Sequence, residues 1–190
     1  MRTLYKGYFK ALAGGMAVLG ISLIFLFFNC SKNLPTAPQN RLAAFSPAKL
    51  DPSAAVPISP VMVAFGTAGG EVKFPVGSDT ALFSVPAGAL DSVVQLTFST
   101  RIVPTVDGKV LFGLYDFAPN GVKFNKSCKL SLPARFADGT VVPFYWLNPK
   151  TGFWELQESC YAKSKKVHFK IDHFSTYSAP VDGLGSGGQQ

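Results

Sequence analysis

Residues 94–99 read VQLTFS, and that alternation decides the fold class. Val94, Leu96 and Phe98 are apolar and Gln95, Thr97 and Ser99 polar, the period of two of a strand with one buried and one wet face. Residues 166–172 (KVHFKID) repeat the pattern, setting Val167, Phe169 and Ile171 against Lys166, His168, Lys170 and Asp172. Outward from these runs, short segments rich in Val, Phe, Tyr and Thr recur between Gly, Pro, Asn and Asp turns. They predict ten strands, at 61–65, 71–75, 80–85, 93–102, 110–118, 122–132, 141–147, 153–159, 166–171 and 173–179. Breaks are marked by Ala137-Asp138-Gly139-Thr140 and by Asn148-Pro149-Lys150-Thr151-Gly152. No helix-period segment of useful length occurs beyond the first 29 residues. The expectation is an all-β antiparallel sandwich over 61–180, with a small barrel as the alternative.

Composition agrees with one domain plus extras. The chain has 190 residues, 47% of them hydrophobic and only 15% charged, which excludes a polar disordered chain. Phe occurs 17 times, and 18 Gly with 14 Pro suit many short strands and tight turns. Two His and three Cys leave little material for a metal cluster or an acid–base machine.

The N-terminus reads as an address. Arg2, Lys6 and Lys10 precede a charge-free run from Ala11 to Phe28, the layout of a secretory signal over residues 1–29. Cys30, followed by Ser31, resembles the lipidated Cys of a bacterial lipoprotein signal. That resemblance implies a lipid anchor at Cys30 and residence in the cell envelope, with Ser31 favouring the outer membrane. Phe27, Phe28 and Asn29 depart from the small residues usual before such a Cys. An uncleaved apolar anchor and ordinary secretion therefore stay open as alternatives. Removing residues 1–29 removes three positive charges and no negative ones, so +7 becomes +4. So modest a charge argues against a nucleic-acid partner.

Residues 30–60 carry six Pro among Ala, Ser and Asn with no sustained period, a tether composition, and residues 181–190 form a Gly-rich tail. With Cys30 assigned to lipid, Cys128 and Cys160 are the remaining thiols of an exported domain. They are expected to pair, with two separate buried thiols as the alternative.

The order of short motifs from Gly69 to Pro180 resembles a ZU-five domain, the β-sandwich module of ankyrins, netrin receptors and zonula-occludens scaffolds. The matching elements are Gly69-Gly70-Glu71-Val72, Val85-Pro86-Ala87-Gly88-Ala89-Leu90, and Tyr115, Phe117, Pro119, Gly121 and Phe124 with Leu130-Ser131-Leu132-Pro133. They continue with Tyr145-Trp146 and Asn148, Thr151-Gly152-Phe153-Trp154-Glu155, and His173-Phe174-Ser175-Thr176-Tyr177. The resemblance implies a non-enzymatic scaffold or interaction module, with an envelope protein or polysaccharide as partner. Some domains of this type cut themselves at a His-Phe-Ser site. His173, Phe174 and Ser175 therefore imply an alternative in which Ser175 attacks the preceding carbonyl with His173 as base.

Other chemistry has less to stand on. Asp172, His173 and Ser175 do not make a strand-borne triad, because adjacent strand residues diverge. His168 and His173 lack ligand-spaced companions, so no metal site is expected. No phosphate-cradling loop or dinucleotide fingerprint points to a cofactor. Trp146 and Trp154 flank one turn and are expected mainly to pack across a hairpin, with a sugar-stacking platform as the alternative.

Overall fold

All ten expected strands form, as β1 (Val56–Phe65), β2 (Gly70–Val76), β3 (Asp79–Val85), β4 (Val94–Pro104), β5 (Val110–Ala118), β6 (Lys123–Pro133), β7 (Val141–Leu147), β8 (Trp154–Tyr161), β9 (Lys166–His173) and β10 (Thr176–Gly183). The computed structural model describes Cys30, residues 56–106 and residues 110–183. The signal and lipobox positions 1–29, most of the tether (31–55) and tail residues 184–190 lie outside the described residues.

The strands form two antiparallel sheets, a six-stranded one ordered β1-β4-β5-β10-β7-β8 and a four-stranded one ordered β2-β3-β6-β9. The architecture is a sandwich, not a barrel. The period-two runs put their apolar members between the sheets: Leu96, Phe98, Val167, Phe169 and Ile171 are all buried. The many Phe have a shared purpose there. Phe174 packs its ring 5.3–5.5 Å from those of Phe83, Phe98, Phe117 and Phe124. Phe144 stacks between Phe169 and Tyr177, at 4.3 and 5.0 Å. Edge-on and offset ring contacts of this kind add to the area they bury.

Two boundaries move furthest. β1 begins at Val56, inside the Pro-rich stretch, and its register with β4 shifts between Ile58 and Val61. Pro60 sits within that irregularity of an edge strand, where a missing N–H is tolerated. β10 runs on to Gly183 through a second shift between Pro180 and Asp182, so the sheet takes residues expected in the tail.

The expected Cys128–Cys160 bridge is corrected. Cys160 is bonded to Cys30, and Cys128 is a free, buried thiol. Sheet assignment explains this. Cys128 lies on β6, interior to the four-stranded sheet, and Cys160 on β8, the edge of the other. The two thiols therefore share no ladder, and the cysteine that meets Cys160 at its edge is Cys30. Cys30 enters at the open side where β8 and β9 meet, its Cα 4.4 Å from that of Cys160.

Candidate functional site

The residues expected to carry chemistry fall in three places: the crossover between β9 and β10, the hairpin β7–β8, and the seam between β8 and β9.

The crossover is His173-Phe174-Ser175, where the chain leaves the four-stranded sheet for the six-stranded one. Its backbone is tied on both sides. Phe174 N–H donates to the Val122 carbonyl at 2.7 Å, Gly121 N–H donates to the Phe174 carbonyl at 2.9 Å, and Phe117 N–H to the Ser175 carbonyl at 3.1 Å. The Pro119-Asn120-Gly121 turn is thus the brace of the crossover, with Gly121 at φ +86° as the turn requires.

The side chains there have other partners than self-cleavage needs. Ser175 Oγ accepts the Trp146 indole N–H at 2.8 Å. The Tyr177 hydroxyl donates to the His173 carbonyl at 2.6 Å, and His173 Nδ1 lies 2.8 Å from the same hydroxyl oxygen. A carbonyl only accepts, so the hydroxyl proton is spent on it and Nδ1 carries the proton that faces the tyrosine oxygen. Among the described residues no hydrogen bond joins His173 to Ser175. Burial, with a smaller push from Asp172, raises the Tyr177 pKa well above a free phenol. That hydroxyl is therefore a fixed proton donor.

The hairpin divides the two tryptophans. Trp146 pairs with Glu155, and Leu147 with Trp154. Paired residues share a face and neighbours alternate, so Trp146 and Trp154 point to opposite sides of the sheet. Trp146 packs inward, 5.5 Å from the His173 ring, and forms no joint platform with Trp154. Trp154, Leu156, Leu147 and Tyr145 share the outer face instead. Phe153 at the turn is 73% exposed and Tyr161, at the other end of β8, 46%.

At the seam, Glu158 is buried and its carboxylate accepts Lys170 N–H at 2.6 Å. Cys30 Sγ lies 3.3 Å from the His168 carbonyl oxygen. Cys30, Cys160 and Glu158 converge within 4.8 Å, but sulfurs bonded to each other offer no thiolate to a metal. Nor does a sulfur in a disulfide accept a lipid, so lipidation and this bond compete for one atom. His168 presents its ring on the outer face of β9, with Nδ1 2.7 Å from Ser131 Oγ. Burial, then the charges of Lys129 and Lys166, lower its pKa.

Sequence reasoning missed Glu158 and the brace at Gly121. A carboxylate within an otherwise weakly patterned strand was the only sign of the former. The Pro-Asn-Gly turn was legible, but its partner 53 residues later was not. Compared with known families and with curated proteins, the chain matches none.

Proposed function

We propose that the chain is a non-enzymatic interaction module of the bacterial cell envelope, with ZU-five-like motif order and a protein as partner. One observation carries the reading: among the described strands β8 is the last of its sheet, and with the turn before it presents Phe153, Leu156 and Tyr161 to solvent beside Trp154. Edge strands offer unpaired backbone groups, and exposed aromatic side chains supply the anchors from which protein interfaces draw most of their energy.

The His-Phe-Ser crossover supports a structural role in this reading. Its serine and histidine hold Trp146 and Tyr177, and its phenylalanine sits at the centre of the aromatic core. The Cys30–Cys160 bond supports export, since disulfides persist in oxidising compartments. With Cys30 oxidised, membrane attachment falls to the uncleaved apolar run 11–28, and lipidation to molecules whose Cys30 is free.

The test is site-specific photo-crosslinking from position 153 in envelope-expressed protein. A protein adduct that Tyr161→Asp weakens severalfold is the expected result. No adduct, together with a tryptophan fluorescence change on adding polysaccharide, would overturn the protein-partner reading in favour of sugar.

A further inference from the structure

The outer faces of the two sheets differ in charge. On the six-stranded sheet Arg101 pairs with Asp116 at 3.0 Å, and the two charges cancel. On the four-stranded sheet Lys73 of β2, Lys129 of β6, and Lys166 and Lys170 of β9 are all exposed. Strand alternation puts them on the side away from the core, because their neighbours Phe74, Leu130, Val167 and Phe169 are buried.

Register gathers these charges. Lys129 lies directly opposite Lys170, Ser131 opposite His168, and Pro133 opposite Lys166. Like charges set opposite each other on neighbouring strands cost stability. His168 feels the same field, since Lys129 and Lys166 add to burial in lowering its pKa. Among the described residues the acids of this face stand at its margins and accept hydroxyls, Glu71 from Ser84 at 2.8 Å and Asp172 from Ser127 at 2.6 Å. Such a face is complementary to an anionic surface.

The point of attachment lies on the edge of this face. β9 ends the four-stranded sheet, and Cys30, bonded to Cys160, has its Sγ 3.3 Å from the carbonyl oxygen of His168, midway between Lys166 and Lys170 in the strand. In the sequence only Asn29 separates Cys30 from the apolar run that ends at Phe28, at most about 7 Å of chain. The headgroup layer flanking the hydrocarbon core is roughly as thick.

We infer that the outer face of the four-stranded sheet docks on the anionic headgroups of the membrane that holds the chain, through Lys73, Lys129, Lys166 and Lys170. This rests on the reading above that the apolar run 11–28 supplies the attachment. Lysines held near an anionic bilayer are drawn to it within about one Debye length, and the attachment keeps them in that range. Phe153 lies about 23 Å along β8 from Cys160, so the tip stays open to a protein partner.

The test uses the oxidised full chain in lipid nanodiscs, made of phosphatidylcholine alone or with one third phosphatidylglycerol. Lys150, exposed in the β7–β8 turn, is the internal reference for labelling by an uncharged amine reagent, read by peptide mass. Relative to Lys150, the four lysines should label at least fivefold more slowly in anionic than in neutral discs. The difference should vanish at about 0.5 M salt, where the Debye length is roughly 4 Å. Lys166→Gln with Lys170→Gln should return Lys73 and Lys129 to within about twofold of their neutral-disc rates while β circular dichroism is retained. Incorporation into both discs with equal labelling would overturn the docking and leave the attachment standing; a chain that enters neither disc would overturn both. Protection that falls on dilution would assign the face to a second copy, and protection gained only on adding an anionic polysaccharide to neutral discs would assign it to that polymer. Either result would overturn the membrane as its occupant.

Discussion

At single residues the structure separates groups that hold the fold from groups that only occupy it. Ser175 is the clearest of the first kind, being the acceptor for Trp146. Ser175→Ala leaves that indole N–H unpaired in a partly buried place, at a cost of about 1–2 kcal/mol in urea unfolding. Its intact mass should equal that of the wild type less one oxygen, with neither protein cut after Phe174. A shorter wild-type species absent from the variant would restore the self-cleavage reading. Tyr115 is of the second kind. Its hydroxyl is buried without a hydrogen-bond partner, over Gly113, where a Cβ would stand 2.1 Å from that oxygen. Tyr115→Phe should therefore raise stability by about 1 kcal/mol, and a loss of that size would mean the hydroxyl has a partner. Phe174→Ala removes a ring touching four others and should cost about 3–5 kcal/mol.

At the level of elements, the strands were legible because period two and turn chemistry are local. VQLTFS and KVHFKID announced β4 and β9, and the Asn148–Gly152 turn announced the β7–β8 hairpin. Register was not legible to one residue, and one residue decided the tryptophans. With Leu147 opposite Trp154, Trp146 goes inward and the two tryptophans form no joint platform. β1 was under-read because Pro57 and Pro60 count against a central strand, whereas β1 is an edge. On β9, His168 gives a pH dependence. Burial, then Lys129 and Lys166, hold its folded pKa below the usual 6.5, so the unfolded chain takes up the proton first as pH falls. Its contribution is present above about 6.5 and is lost as pH falls through the folded value. Chemical unfolding from pH 7.5 to 5 should show stability falling with acid, and His168→Gln should flatten that slope. An unchanged slope would remove His168 as its source.

Across the whole molecule, what the sequence hid was sheet order. Nothing local says that β8 and β9 end as neighbouring edges, or that a cysteine 130 residues upstream of Cys160 closes the seam between them. Reading Cys30 as a lipid site by its place after an apolar run left Cys128 as the only partner for Cys160. Topology reverses that choice. Closing so long a loop stabilises by about 4–5 kcal/mol in the chain-entropy account, so Cys160→Ser should lower stability by that order in the oxidised protein and by little under reductant. The remaining thiol, Cys128, is buried, and burial followed by the charge of Asp172 pushes its pKa up to about 12, so it should resist alkylation until the chain unfolds.

The most direct measurement is a peptide map of the protein taken from bacterial membranes, alkylated and digested without reduction. The account predicts one linked pair joining the peptides of Cys30 and Cys160, with Cys128 alkylated only after denaturation. A Cys128–Cys160 pair, or a Cys30 peptide carrying acyl mass in the bulk of the protein, would contradict it.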